Sequence, residues 1–170
     1  MFNIELLSTL FALDAQRYEA FGLGCVLAVL ITLFHVTGLT EIVGWSERKF
    51  DRVRSSGAHP FTASLCFAAT IFFMLFLHIV DSCIWALILY GLKLIPGIHD
   101  ALYFAANTYT SLGYGDMILP NDWRELSPLM AISGLFTFAC TTSQLFDVMG
   151  KHRSVVAALT RHSRRQQPVS

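Results

Sequence analysis

The sequence predicts an all-α membrane protein with three helices that each cross a bilayer and one short re-entrant segment between the second and third. Three observations predict it. Of 170 residues, 54% are hydrophobic and only 14% are charged, far from the usage of a soluble globular chain. Three apolar stretches, at about 20–43, 62–92 and 126–149, are long enough to cross a hydrocarbon core, which takes about 20 helical residues. Between the last two, Pro96 to Trp123 is apolar and helix-like in its first half and turn-rich in its second, which is not the composition of a simple loop.

Residues 1–19 form an N-terminal extracellular or interfacial segment. Its first ten residues carry no Lys or Arg, so it lacks the basic start of a signal peptide, and Met1 to Ala12 reads as an interfacial helix or a frayed apolar terminus. Residues 20–61 hold the first span and a basic linker. Within that linker, residues 44–56 combine Trp45, Phe50 and Val53 with Arg48, Lys49, Arg52 and Arg54. The pattern suits an amphipathic helix on the inner membrane surface, with membrane lipid, anionic at this basic segment, as its partner.

The second span exceeds a simple crossing, so it tilts or projects beyond the bilayer. His78 and Asp81 sit three apart on it and share a helix face, placed to bond each other as a structural contact or a pH-responsive pair. His35 stands alone on the first span. The four cysteines, Cys25, Cys66, Cys83 and Cys140, are scattered singly with no metal-ligand spacing and read as small packing residues. No repeat, nucleotide loop or nucleic-acid signature is present, and no span repeats arginine at every third position.

Basic residues fix the orientation. Arg48, Lys49, Arg52 and Arg54 lie between the first two spans, and Lys151, Arg153, Arg161, Arg164 and Arg165 follow the third, against Arg17, Lys93 and Arg124 on the other side. The positive-inside rule then places the N-terminus outside, the C-terminus in the cytoplasm and residues 93–125 outside. In that outer segment Asp100, after Pro96-Gly97, is the expected N-cap of a short helix ending near Thr110. Irregular backbone at membrane depth is tolerated only where protein buries it or water meets it.

The stretch Thr110-Ser111-Leu112-Gly113-Tyr114-Gly115-Asp116 follows that helix. Backbone dihedrals that alternate in hand turn successive carbonyls to one side of a strand, and the left-handed positions are cheap only for glycine. Gly113 and Gly115 have that spacing. Leu112 and Tyr114 then face the other way.

Ala101 to Met117, read as A-L-Y-F-A-A-N-T-Y-T-S-L-G-Y-G-D-M, resembles the pore helix and filter of the potassium-channel family. The resemblance extends over roughly 62–149, with Trp123-Arg124 similar to the start of an inner helix and Gly134 where many members carry a hinge glycine. It implies a small prokaryotic-type potassium channel with one pore loop per chain and an additional N-terminal transmembrane helix. The pore domain, 62–150, would comprise an outer helix 62–92, a pore helix 100–110, a filter 111–115 and an inner helix 126–149, followed by a basic cytoplasmic tail 151–170. One pore segment per chain requires a homotetramer in the plasma membrane, the inner membrane if the cell is bacterial.

The family's chemistry then transfers residue by residue. Carbonyl rings at Ser111, Leu112, Gly113, Tyr114 and Gly115, with the Ser111 hydroxyl at the inner end, would replace the water of a potassium ion, the permeant ligand; no cofactor, catalytic residue or nucleic-acid partner is implied. Asn107, Thr110 and Asp116 would support the filter and its outer mouth, with an Asn107 amide placed to reach Asp116. Leu135, Phe138 and Thr142 would face the cavity, Thr142 foremost, and Asp147 would form a ring at the inner mouth or pair with Lys151. Ser111 stands where the family usually has threonine, and Leu112 where valine is commoner. Those departures keep a nonselective cation channel or a non-conducting channel-like subunit in view as alternatives. Gly113-Tyr114-Gly115-Asp116 also matches the Gly-x-Gly-Asp of intramembrane aspartyl proteases, with Asp81 as the partner, although those families usually have six or more spans.

Overall fold

The computed structural model describes the backbone of residues 4–166 and the side chains of residues 17–161. Helix α1 runs Ile4–Ser55, α2 Pro60–Gly91, α3 Ile98–Tyr109 and α4 Leu126–Gln166, with a 3-10 turn at Asn121–Trp123 before α4. No strand occurs among the described residues. Helices α1, α2 and α4 each contain a segment long and apolar enough to cross a membrane. The protein is an all-α, multi-pass membrane protein with a short helix between its second and third spans.

Two helices run further than the sequence predicts. The 52 residues of α1 amount to about 78 Å of helix, well beyond a hydrocarbon core of about 30 Å. Residues 44–56 are therefore the end of α1 to Ser55 rather than a separate surface helix. No proline interrupts α1, and Phe50 and Val53 are buried against residues of α2 and α4 instead of lying on a membrane surface. At the other end, the backbone from Ile4 is also part of α1, whereas Met1 to Asn3 lie outside the described residues. Helix α4 likewise continues into the expected tail, as far as Gln166, and there Val155 and Leu159, four apart, present one apolar face that is buried.

The chain divides into two compact units. The first comprises residues 1–34 and 79–137. Its core joins Ile31 of α1 to Trp85 and Leu89 of α2, Phe104 and Tyr109 of α3, and Leu126 and Met130 of α4. The Trp85 indole donates to Ser133 Oγ at 3.3 Å. Past α2 the chain reverses at Lys93, which takes φ 57°, and the Leu94 N–H returns to the Leu89 carbonyl at 3.0 Å. This is the helix-stop geometry in which a left-handed residue lets the following N–H cap an earlier carbonyl.

The second unit comprises residues 35–78 and 138–170. Leu39, Phe50 and Val53 of α1, Ala63, Met74 and Leu77 of α2, and Val148, Val155 and Leu159 of α4 form its core. Thr70 donates to Ser46 Oγ at 3.0 Å, and the His152 ring stacks on Phe67 at 4.8 Å. Lys151 pairs with Glu47 at 3.5 Å and Asp51 at 3.6 Å, both on α1, in place of the expected partner Asp147. His35, fully buried, lies 2.9 Å through Nε2 from Thr141 Oγ1. His78 lies flat against Phe138 with ring centroids 4.0 Å apart.

Candidate functional site

Helix α3 aims the site. Its N-cap is Gly97, in extended conformation at φ −108° and ψ 133°, and not Asp100. Asp100 falls in the first turn of the helix, where a carboxylate suits the positive end of the helix dipole. The helix ends at Tyr109 with Thr110 as C-cap, and Thr110 Oγ1 donates back to the Ala106 carbonyl at 2.7 Å.

Beyond Thr110 the backbone alternates in hand. Ser111, Gly113 and Gly115 have φ of 59°, 61° and 75°. The two glycines adopt the left-handed region without a Cβ penalty. Ser111 does not have that freedom, so its conformation must be imposed by what surrounds it.

Asn107 supplies much of that constraint. Its carbonyl accepts the N–H of Leu112 at 3.0 Å and of Gly113 at 3.3 Å, and its side-chain Oδ1 accepts the N–H of Tyr114 at 3.4 Å. The Ser111 N–H donates to the Thr108 carbonyl at 3.0 Å. No peptide bond here is cis, and in a trans peptide the carbonyl points opposite to the N–H. Tying back the N–H groups of Leu112, Gly113 and Tyr114 therefore turns the carbonyls of Ser111, Leu112 and Gly113 away from α3, as one row. The Asn107 side chain thus serves Tyr114 within the strand, where the sequence suggests Asp116.

Asp116 is engaged from another direction. Its carboxylate raises the Tyr103 phenol above its ordinary range, through hydrogen bonding first and negative charge after it. Tyr103 is half-exposed near the start of α3. Nothing in its sequence setting distinguishes it from a lipid-facing aromatic.

At the opposite end of α3, Tyr109 is buried and its hydroxyl donates to Asp81 Oδ2 at 2.8 Å. The same oxygen lies 2.6 Å from Thr137 Oγ1 on α4. Asp81 thus accepts a bond from a residue 28 positions away, on α3. Gly134 faces the backbone of Tyr109 so closely that a Cβ would overlap the Tyr109 carbonyl oxygen. A glycine at 134 is accordingly a packing requirement, whether or not α4 bends there.

The remaining predicted positions lie along α4. Leu135 and Thr142 are exposed, and Thr142 Oγ1 donates to the Phe138 carbonyl at 2.8 Å. Asp147 is exposed. Beside residues 111–115 a cleft of about 480 Å³ opens among Phe104, Asn107, Ser111, Gly113, Leu119 and Arg124. Leu112 and Tyr114 are 57% and 69% exposed, large side chains left uncovered within one chain.

A family model described as ion channel matches residues 61–151, from the first turn of α2 through α3 and the glycine-spaced segment after it into α4. The chain belongs to this ion channel family. The match is to the two-span pore type related to potassium channels, and it takes in α2 and α3 and reaches residue 151 of α4, with α1 lying before it. Comparison with curated proteins and with solved structures gave no match. In the channel, the row of carbonyls at Ser111 to Gly113 lies where one helix end, one glycine-spaced strand and one asparagine converge.

Proposed function

We propose that the protein is a potassium-selective channel that conducts passively, as a homotetramer, through a filter formed by residues 111–115. The observation that carries this reading is the set of three strand N–H groups held by Asn107. It leaves the carbonyls of Ser111, Leu112 and Gly113 free on the opposite side. Four such strands around an axis provide rings of oxygens that substitute for the hydration shell of a potassium ion. The Ser111 hydroxyl adds oxygen at the inner end, and four copies of Asp116 make an acidic outer mouth that concentrates cations. The exposed Leu112 and Tyr114 and the cleft beside the strand become contact surface for neighbouring chains.

The basic residues place the N-terminus outside and the C-terminus in the cytoplasm of a cell whose plasma membrane holds the channel. Arg48, Lys49, Arg52 and Arg54, at the inner end of α1, are suited to anionic lipid headgroups. Phe138 and Thr142 line the inner cavity, and no catalytic chemistry is involved. The aspartyl-protease alternative needs Asp81 and Asp116 to share one site. Asp81 instead accepts from the buried Tyr109 hydroxyl, whereas Asp116 acts on Tyr103, six residues and about 9 Å earlier along α3.

The test is ion flux from vesicles reconstituted with the purified channel and loaded with potassium. Efflux into potassium-free medium that collapses when sodium replaces potassium inside supports the proposal. Equal flux of both ions makes the channel nonselective. No flux from confirmed tetramers makes it a non-conducting subunit.

A further inference from the structure

Three buried polar side chains from three helices meet behind the inner end of the filter strand. Tyr109 of α3 is 1% exposed, and Asp81 of α2 and Thr137 of α4 are fully buried. The tyrosine hydroxyl donates to Asp81 Oδ2 at 2.8 Å. With its proton so placed, its oxygen accepts from Thr137 Oγ1 at 2.6 Å. Thr137 Oγ1 also lies 2.9 Å from the Gly134 carbonyl, one turn earlier.

Buried polar groups that satisfy one another fix the elements carrying them more tightly than apolar contacts do, because leaving any one unpaired is costly. Here the fixed element is the last residue of α3. Tyr109 meets α4 at two successive turns, through its backbone at Gly134 and its hydroxyl at Thr137. Two residues further on is Ser111, a non-glycine residue at φ 59°. Such a conformation persists only where the surroundings over-determine it. Asn107 holds the strand after Ser111, and Tyr109 holds the chain before it.

We infer that Tyr109 is a positioning residue for the inner end of the filter: its hydroxyl, shared by Asp81 and Thr137, holds Ser111 in the conducting backbone conformation. Through the same contacts it carries displacements of α4 at Gly134 and Thr137 to that site. The inference rests on the reading of residues 111–115 as a filter. No local pattern in the sequence joins Tyr109 to Asp81 or Thr137, since 28 positions separate it from each.

The test uses the full-length channel in planar bilayers, with tetramers confirmed beforehand. Tyr109→Phe keeps the buried ring and removes the hydroxyl. It is expected to raise the sodium-to-potassium permeability ratio by about threefold to tenfold, the range that loss of one net hydrogen bond allows, and to shorten openings. Thr137→Val, which leaves the Tyr109–Asp81 bond intact, should shift both quantities in the same direction by less. The double variant should be no worse than Tyr109→Phe alone, as expected for groups acting as a unit.

A wild-type permeability ratio and open time in both single variants would overturn the inference while leaving the selective wild-type channel standing. So would failure of both variants to form tetramers, which would make the three residues a folding element. A wild-type channel that passes sodium and potassium equally would instead overturn the filter reading, and this inference with it, before any variant is compared.

Discussion

Asn107 Oδ1 accepts the backbone N–H of Tyr114 at 3.4 Å, and the Asn107 carbonyl accepts the N–H groups of the two residues before it. One residue of a short helix thus sets the orientation of the strand that follows. The carbonyl contacts survive any substitution, whereas the side-chain contact does not. Asn107→Ala should leave assembly intact, weaken the strand by about 1 kcal/mol, and speed the decay of potassium current. Asn107→Asp, which keeps an acceptor in place, should retain more of the wild-type behaviour. Current decay under sustained driving force, compared across the two variants, checks this.

Gly134 and Gly22 are both helical glycines with opposite surroundings. A Cβ at 134 meets the Tyr109 backbone, whereas one at 22 meets nothing within 4 Å. Gly134→Ala should destabilise the protein by about 1–3 kcal/mol through overpacking against a rigid partner. Gly22→Ala should be neutral or stabilising by up to about 1 kcal/mol, the helix-propensity difference. Thermal unfolding of the two variants in the same detergent distinguishes them.

The division between what was legible in the sequence and what was not follows the range of the interactions. The three spans and the glycine-spaced strand are local patterns, encoded by runs of apolar residues and by Gly113 and Gly115. The bonds Tyr109–Asp81 and Tyr109–Thr137 each join residues 28 apart, and no local pattern records such a pairing. In the sequence the first apolar run ends near residue 43, ahead of basic residues 48–54 that signal the end of a span. Burial of Phe50 and Val53 against α2 and α4 outweighs that signal. The sequence suggests Asp100 as the cap of α3, but Gly97 already supplies the extended backbone that a cap position needs.

In the second unit, apolar packing should outweigh the ion pairs. Lys151 lies 3.5 Å from Glu47 and 3.6 Å from Asp51, whose side chains are 54% and 69% exposed. Lys151→Ala should therefore cost under about 1 kcal/mol, and salt should remove most of the difference. Phe50→Ala, at a fully buried position, should cost about 3–5 kcal/mol. Denaturation midpoints at low and high salt separate the two contributions.

Tyr103 reports on Asp116. Its phenol is raised above the ordinary tyrosine value of 10.0, first by hydrogen bonding to that carboxylate. Any stabilisation from this bond is fully present below the ordinary tyrosine range, and is lost as pH rises through the elevated value. Asp116→Asn should return the Tyr103 titration toward 10, seen as phenolate absorbance appearing at lower pH than in the wild type.

The central claim, that residues 111–115 form a potassium-selective filter, is tested most directly by the reversal potential of the purified channel in planar bilayers. The gradient is first potassium alone, and sodium then replaces potassium on one side. A reversal near the potassium equilibrium potential, lost in Gly113→Ala because alanine resists the left-handed backbone at 113, is the result predicted. A reversal near zero with sodium opposite potassium, or full selectivity retained in Gly113→Ala, would contradict it.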